Sequence, residues 1–125
     1  MKREIKCRGK RIDNGKWVTG FLLRSSEESA SIVKQYGTVD ISIYDVIPKT
    51  VGQFTGLQNG KKIFDGDIVT GINRITEEEI PQKVTFLNGC FMFGSWNAHE
   101  YFNKHQFITV IGNIHENLSL SEVAR

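Results

Sequence analysis

The chain has 125 residues, of which 39% are hydrophobic and 24% charged, with a formal net charge of +2. This length fits one ordinary domain, and so small a charge excess does not by itself predict a nucleic-acid-binding protein. The β-branched residues Ile, Val and Thr number 31, against six Leu and three Ala. Because β-branched side chains favour strands whereas Ala and Leu favour helices, this composition argues against a helical bundle or a coiled coil.

Several features of the sequence bear on where the protein acts. No stretch approaches the ~18 apolar residues that a membrane helix needs, so we expect no membrane partner. The basic N-terminus is not followed by an apolar core, which argues against a secretory signal. Cys7 and Cys90 lie far apart and form no CxxC motif. We therefore expect two reduced thiols, packed as small hydrophobic side chains, in a cytoplasmic protein.

The first half of the chain is predicted to begin with two strands within residues 3–24. They are joined by a turn at Asp13-Asn14-Gly15, since Asn-Gly supplies the positive φ angles of a tight hairpin. Alternation in the first strand places Ile5 and Cys7 on one face and three cations on the other: Lys6, Arg8 and Lys10. In the second strand it places three side chains on one face: Trp17, Thr19 and Phe21. A loop is predicted for residues 25–30, and short β runs for residues 31–34 and 38–43.

The second half is predicted to be a regular antiparallel meander. Asn59-Gly60 and Asn88-Gly89 are turn signals, and the second of them joins strands predicted at residues 82–87 and 90–93. Other strands are predicted at residues 68–75 and 107–114, and a helical turn within 97–104. Roughly eight to ten short strands separated by turns indicate a small barrel or sandwich.

These elements lead to a domain prediction. We expect a mainly β fold with an N-terminal β subdomain over residues 1–56 and an SH3-like barrel over residues 57–117. Residues 118–125 are predicted to be a tail. The C-terminal segment has the length of a five-stranded barrel of this kind.

Four separated segments carry a resemblance to a known family: residues 5–20, 46–57, 60–69 and 110–117. Together they resemble the YopX family of phage and prophage proteins, from about residue 4 to residue 117. The resemblance implies a phage or prophage origin in a bacterial host and a mostly β fold with an SH3-like barrel in the second half. It implies no activity, and it carries no catalytic residue over to this chain.

Two acidic or glycine-rich motifs near the middle of the chain invite functional interpretations. Gly52, Gly56, Gly60 and Gly66 could cradle a phosphate only if a helix followed, and a strand is predicted there instead. The segment Asp65-Gly66-Asp67 lacks the remaining ligands of a calcium loop. We therefore expect glycines that serve turns and an Asp that bonds nearby backbone amides.

The chain offers few residues for catalysis or metal binding. His99, His105 and His115 do not match the spacing of a zinc site. Ser95, His99 and Glu100 could form a hydrolytic set, but no Gly-x-Ser-x-Gly motif is present. We expect no enzyme, no metal and no cofactor. Three aromatic residues could stack on bases or close the end of a core, and the core is favoured: Trp96, Tyr101 and Phe102.

The basic N-terminal strand gives the clearest signal for a partner. Its candidate partner surface consists of six cations: Lys6, Arg8, Lys10, Arg11, Lys16 and Arg24. Such a row could contact phosphates, or it could protect a sheet edge against aggregation. Our first hypothesis is a non-catalytic binding module for a protein or a nucleic acid, with the protein favoured because the charge excess is small. The alternative is a self-assembling homo-oligomer that buries its strand edges.

Overall fold

The computed structural model describes residues 6–37, 40–59 and 61–125. Strands take up 59% of these residues, in antiparallel sheets accompanied by short helices, so the expected mainly β fold is confirmed. No helix in the described ranges is long and apolar enough to cross a membrane. Predictions for residues 1–5, Thr38, Val39 and Gly60 lie outside the described residues, including the placement of Ile5 and the turn at Asn59-Gly60.

The chain divides into two compact units, Met1–Phe54 and Thr55–Arg125. The strands of the first unit lie in the order β4-β3-β2-β1-β5. A single 3₁₀ turn, Pro48–Thr50, precedes the last of them, which continues into the second unit. The strand bounds are β1 (Cys7–Lys10), β2 (Trp17–Ser26), β3 (Ser29–Tyr36), β4 (Asp40–Val46) and β5 (Gly52–Asn59).

The sheet of the first unit curls so that its far edge meets the segment after β1. Arg11 forms an isolated bridge with Val46, the Ile12 amide donates to Asp45 O (3.0 Å), and the Ile47 amide donates to Lys10 O (2.8 Å). Closing a barrel needs a continuous ladder between its first and last strands. This short join bends the sheet without closing it.

Alternation along the strands of the first unit separates an inner core from an outer face. The core cluster consists of buried side chains from four strands: Cys7, Val18, Ala30, Ile32 and Val46. Burial of this apolar surface is the main driving force for folding the unit. Cys7 is buried as predicted, whereas Cys90 in the second unit is exposed, which contradicts the expectation that both thiols are packed.

The prediction of a loop at residues 25–30 is wrong. β2 runs to Ser26 and β3 starts at Ser29, so Glu27 and Glu28 alone form the turn. The Ser26 hydroxyl accepts a hydrogen bond from the Glu28 amide (3.2 Å), which stabilises that turn. A strand needs only one apolar face, so its ends can be polar. The polar composition of this stretch therefore did not indicate the end of β2 or the start of β3.

The second unit contains a five-stranded antiparallel sheet in the order β10-β9-β8-β7-β11. Pairing among the described residues does not close it, so of the SH3-like barrel expected at residues 57–117 the structure shows an antiparallel sheet. The segment 118–125 contains a short helix. The bounds are β6 (Lys61–Phe64), β7 (Asp67–Asn73), β8 (Gln82–Leu87), β9 (Cys90–Phe93), β10 (Trp96–Asn97), α1 (Ala98–Lys104), β11 (His105–Asn113) and α2 (Leu118–Val123).

Two local predictions in the second unit are confirmed. The hairpin of β8 and β9 has the predicted bounds, and Asn88 and Gly89 adopt φ angles of 52° and 81°, as a tight hairpin turn requires. In the predicted acidic turn, a carboxylate oxygen of the buried Asp67 accepts a hydrogen bond from the Phe64 amide (2.8 Å). This Asp therefore fixes the entry into β7.

The core of the second unit packs around α1, which begins where Asn97 accepts a hydrogen bond from the Glu100 amide (2.8 Å). Tyr101 is fully buried, and its ring centroid lies 4.9 Å from that of Phe93. Trp96 and Phe102 are partly buried against the same cluster. The core interpretation of these aromatic residues is confirmed.

Tyr101 is expected to make the protein sensitive to alkaline pH. Burial, and secondarily the charge of Glu79, raise the pKa of its phenol from 10.0 to about 12. The folded state thus holds this proton more tightly than the unfolded state. The resulting stability is present below about pH 10 and is lost as the pH rises towards 12.

The variant Tyr101→Phe tests this effect. The Tyr101 hydroxyl has no hydrogen-bond partner among the described residues, so its removal should change the free energy of unfolding at neutral pH by no more than about 1 kcal/mol. We expect chemical denaturation above pH ~10 to show a smaller loss of stability in the variant than in the wild type. An equal loss of unfolding free energy above pH ~10 in the variant and the wild type would show that Tyr101 does not cause the alkaline sensitivity.

Candidate functional site

The outer face of β1 and β2 carries part of the predicted basic surface. Antiparallel pairing sets Arg8 opposite Thr19 and Lys10 opposite Trp17. The Arg8 guanidinium carbon lies 4.7 Å from the Trp17 ring centroid, and Lys10 Nζ lies 5.9 Å from it. Cations at these distances are attracted to the face of the indole ring. Arg8 and Lys10 are thus on one face with Trp17, as alternation predicts.

Two further cations of the predicted surface, Lys6 and Lys16, directly precede β1 and β2 in the sequence. Lys6 precedes β1 and is half-buried, and its carbonyl accepts a hydrogen bond from the Phe54 amide (2.7 Å). Lys16 is exposed directly before β2, and its amide donates to Asn14 Oδ1 (2.9 Å) in the predicted hairpin turn. Both side chains therefore lie at the ends of β1 and β2 rather than in the middle of the sheet.

Arg11 is engaged elsewhere. Its Nη2 donates to Asp13 Oδ2 (2.6 Å) and its Nε to Asp13 Oδ1 (3.0 Å), while the guanidinium carbon lies 4.4 Å from the Tyr44 ring centroid. The hydrogen bond between the Arg11 and Asp13 side chains raises the pKa of Arg11 and lowers the pKa of Asp13. This paired arginine joins the turn after β1 to β4 and adds little net charge to a binding surface.

Arg24 is not on the outer face. It pairs with Ala30, which is a core residue, and directly paired residues of antiparallel strands project to the same side of a sheet. Arg24 therefore leaves the sheet on its inner side, where its Nη2 lies 3.4 Å from Pro48 O. The structure thus separates Arg24 from Arg8 and Lys10.

An apolar surface that the sequence analysis did not predict occupies the rest of the outer face. Phe21, Val33 and Ile43 are paired across β2, β3 and β4, and we call these three residues the outer apolar row. Phe21 is 48% exposed and Ile43 61% exposed. Two further exposed apolar side chains follow the same alternation on either side of the row: Leu23 and Ile41. Contiguous exposed apolar side chains of this kind mark interaction surfaces.

The outer apolar row ends in a groove along β4. A cavity of about 380 Å³ lies where the segment after β1 meets this strand. Ile43 lines it together with Ile12, which is 63% exposed, and with the Arg11–Asp13 pair. Both apolar side chains and both signs of charge thus border one concave surface. Such a surface can bury an apolar side chain of a partner and pair with polar groups at its rim.

His99 and Glu100, which were considered for catalysis, both lie on α1. His99 Nε2 lies 3.1 Å from Asn103 Nδ2 on the next turn of α1, and the Glu100 amide is bound by Asn97. Within the described ranges, no group of three or more His, Cys, Asp or Glu side chains comes together in a way that could hold a metal ion.

Comparison with known protein families identifies the family of this chain. A family model described as YopX protein matches residues 6–122, which is nearly the whole chain. No curated protein and no solved structure gives a significant match.

Proposed function

The chain belongs to the YopX family, and on that premise we propose that it is a non-catalytic module that binds a protein partner through the outer face of β1–β4. The outer apolar row carries this proposal. The face of an antiparallel sheet that meets only water usually carries polar side chains. Here Phe21 and Ile43 lie on that face and are about half exposed or more. Covering them with a partner would remove apolar surface from water at ~25 cal/mol per Å².

The composition of the outer face favours a protein over a nucleic acid. Protein interfaces have an apolar centre and a polar rim, and here Arg8, Lys10 and Trp17 lie beside the outer apolar row. Nucleic-acid binding depends on several cations that neutralise phosphates. Arg11 is paired with Asp13 and Arg24 projects to the inner side, which leaves fewer cations on this face than the sequence suggested.

Three finer parts of the proposal rest on the family resemblance. The first is an SH3-like barrel over residues 57–117, which the meander of β7, β8 and β9 with β11 beside β7 supports, although the pairing of the described residues leaves this sheet open. The protein originates from a phage or prophage. It acts in the cytoplasm of a bacterial host.

Capture of partners from a bacterial host lysate tests the proposal. We expect the wild-type chain to retain partners that the variants Phe21→Glu and Ile43→Glu lose, because each places a charge in the apolar centre of the interface. Central interface residues contribute ~2 kcal/mol or more, so retention should fall roughly 30-fold. Nuclease treatment should leave the retained proteins unchanged.

The matched control is Ile75→Glu, which changes an isoleucine that is 81% exposed in the second unit. It should retain partners as the wild type does, with all variants equally folded by circular dichroism. Equal retention by every variant would overturn the proposal. Nuclease-sensitive retention that is lost when Lys6, Arg8 and Lys10 are changed to Glu would favour a nucleic-acid partner instead.

Self-assembly is the second candidate function, and the position of β4 favours it. This strand is the last in its sheet. Its end at Asp45 and Val46 is joined to the segment after β1, and its earlier part carries the exposed side chains of Ile41 and Ile43. An exposed apolar edge strand can pair with the same strand of another copy. Light scattering at high protein concentration would then detect a dimer or larger assembly, and a monomer would eliminate this candidate.

A further inference from the structure

The outer edge of β4 carries backbone groups that pair with no described strand. β4 is the last strand of its sheet, and it pairs with β3 without a register shift. Its last two residues alone meet other backbone on the outer edge, since the Ile12 amide donates to Asp45 O (3.0 Å) and Arg11 forms a bridge with Val46. Within the described part of the chain, Ile41–Ile43 therefore has an open edge.

Alternation along the ladder shows which backbone groups point to this open edge. In an antiparallel pair, successive residues direct their N–H and C=O groups towards the paired strand and away from it in turn. Asp45 O is bonded outside the ladder, and Val33 O lies beside Gly20 of β2 rather than towards β4. Because Val33 is paired with Ile43, the N–H and C=O groups of Ile43 and, two residues earlier, of Ile41 point outwards.

β4 also lacks the features that normally keep a sheet edge from pairing. Native edge strands are short, bulged or protected by lysine and proline. In the second unit, the edge strand β10 has two residues and the edge strand β11 has two register shifts. β4 has seven residues, a regular register and neither lysine nor proline. Its edge is therefore suited to receive a further strand.

The groove along β4 lies in the path of such a strand. Residues 11–12 already occupy the position beside the end of β4, and the chain then leaves it at the turn before β2. The cavity of about 380 Å³ opens between this segment and β4, with Ile12 and Ile43 as its apolar lining. A side chain of an added strand can enter it, and an apolar one matches this lining.

Charge favours a strand of another protein over a second copy of this chain. β4 contains Asp40 and Asp45 and no basic residue, and both aspartates are exposed. Two β4 strands side by side would bring these carboxylates together, and like charges on adjacent strands destabilise their pairing. A strand with a basic residue on either side of its apolar one would instead meet opposite charges.

We propose that the protein partner contributes an extended segment, apolar at its centre and basic at its ends, which pairs with the open edge of β4. This inference rests on the proposed function and specifies how the partner binds. The segment forms backbone hydrogen bonds with Ile41 and Ile43 and places its apolar side chain in the groove. Strand addition of this kind takes its affinity from backbone hydrogen bonds and its specificity from alternate side chains.

Amide hydrogen exchange of the full chain, alone and with a partner captured from the host lysate, tests this proposal. The amides of Ile41 and Ile43 should exchange rapidly in the free chain and at least about tenfold more slowly in the complex, because they become hydrogen-bonded. The Ile75 amide of the second unit is the control and should exchange at the same rate in both states.

Two variants at one position separate the backbone contact from the side chain. Ile41→Pro and Ile41→Ala both remove the isoleucine side chain, but proline also removes the outward N–H. Proline is tolerated in edge strands where the N–H faces solvent. We expect Ile41→Pro to bind the captured partner about fivefold more weakly than Ile41→Ala does. Hydrogen exchange uses the unchanged chain, so it decides the question even if the proline variant does not fold.

The outcomes distinguish this inference from the proposed function. A captured partner that is lost in Phe21→Glu but leaves the exchange of Ile41 and Ile43 unchanged would overturn strand addition, while the proposed function would stand. Slow exchange of these two amides in the free chain at high concentration would identify a second copy as the occupant and also overturn it. Failure to capture any partner would overturn both.

Discussion

The variant Gly20→Ala is expected to destabilise the protein by about 3 kcal/mol or more. Gly20 lies on β2 opposite Cys7, and a Cβ added there would collide with the backbone carbonyl oxygen of Val33 and lie 3.0 Å from Ile32 Cγ2. A backbone oxygen within a ladder cannot move without disturbing the pairing of β2 with β3. The shift would also displace Val33, a member of the outer apolar row, so partner binding should fall as well.

Thr19→Ala is the control for this variant. Thr19 precedes Gly20 in the same strand and projects to the outer face, where it is half-buried. Its truncation should cost no more than about 1 kcal/mol. Chemical denaturation followed by circular dichroism provides both free energies of unfolding. Equal values for the two variants would show that β2 and β3 leave room for a Cβ at position 20.

The variant Gly94→Ala is expected to destabilise the second unit by roughly 2–3 kcal/mol. Gly94 follows β9 with a φ of 63°, which L-residues adopt at a cost, and its added Cβ would overlap Gln82 Oε1. Because Gln82 is buried, its amide cannot turn aside freely.

The variant Gly89→Ala separates the cost of the positive φ angle from the cost of the overlap with Gln82. Gly89 has a comparable φ of 81° in the same hairpin, but no atom lies within 4 Å of its added Cβ. Its cost should reflect the backbone angle alone, at about 1 kcal/mol. Thermal or chemical unfolding of the two variants should therefore give Gly94→Ala the clearly lower stability. Indistinguishable stabilities would contradict the packing of Gln82 against Gly94.

The sequence predicts the elements of this fold better than their assembly. The β8–β9 hairpin is predicted residue for residue, because Asn88 and Gly89 determine the turn locally. The curl of the first sheet depends instead on the bridge between Arg11 and Val46, which lie far apart in the chain. No local pattern contains that pairing, so closure of a sheet cannot be inferred from strand signals alone.

The same distinction explains what was predicted of the candidate site. Alternation places Arg8 and Lys10 on one face because neighbouring residues of a strand point to opposite sides. The outer apolar row was missed because Phe21 and Ile43 look like core residues in the sequence, and only the pairing of three strands shows which face is inside. The continuous run Phe21-Leu22-Leu23 was the available signal, since a strand with one buried face should alternate.

The claim that the outer face binds a protein is tested most directly by titrating one captured partner against the purified chain. We expect Phe21→Glu and Ile43→Glu to raise Kd at least about 30-fold, whereas Ile75→Glu should leave it unchanged. Unfolding curves must show that all three variants are folded. A Kd equal to the wild-type value for both outer-face variants would show that the partner does not bind through the outer face.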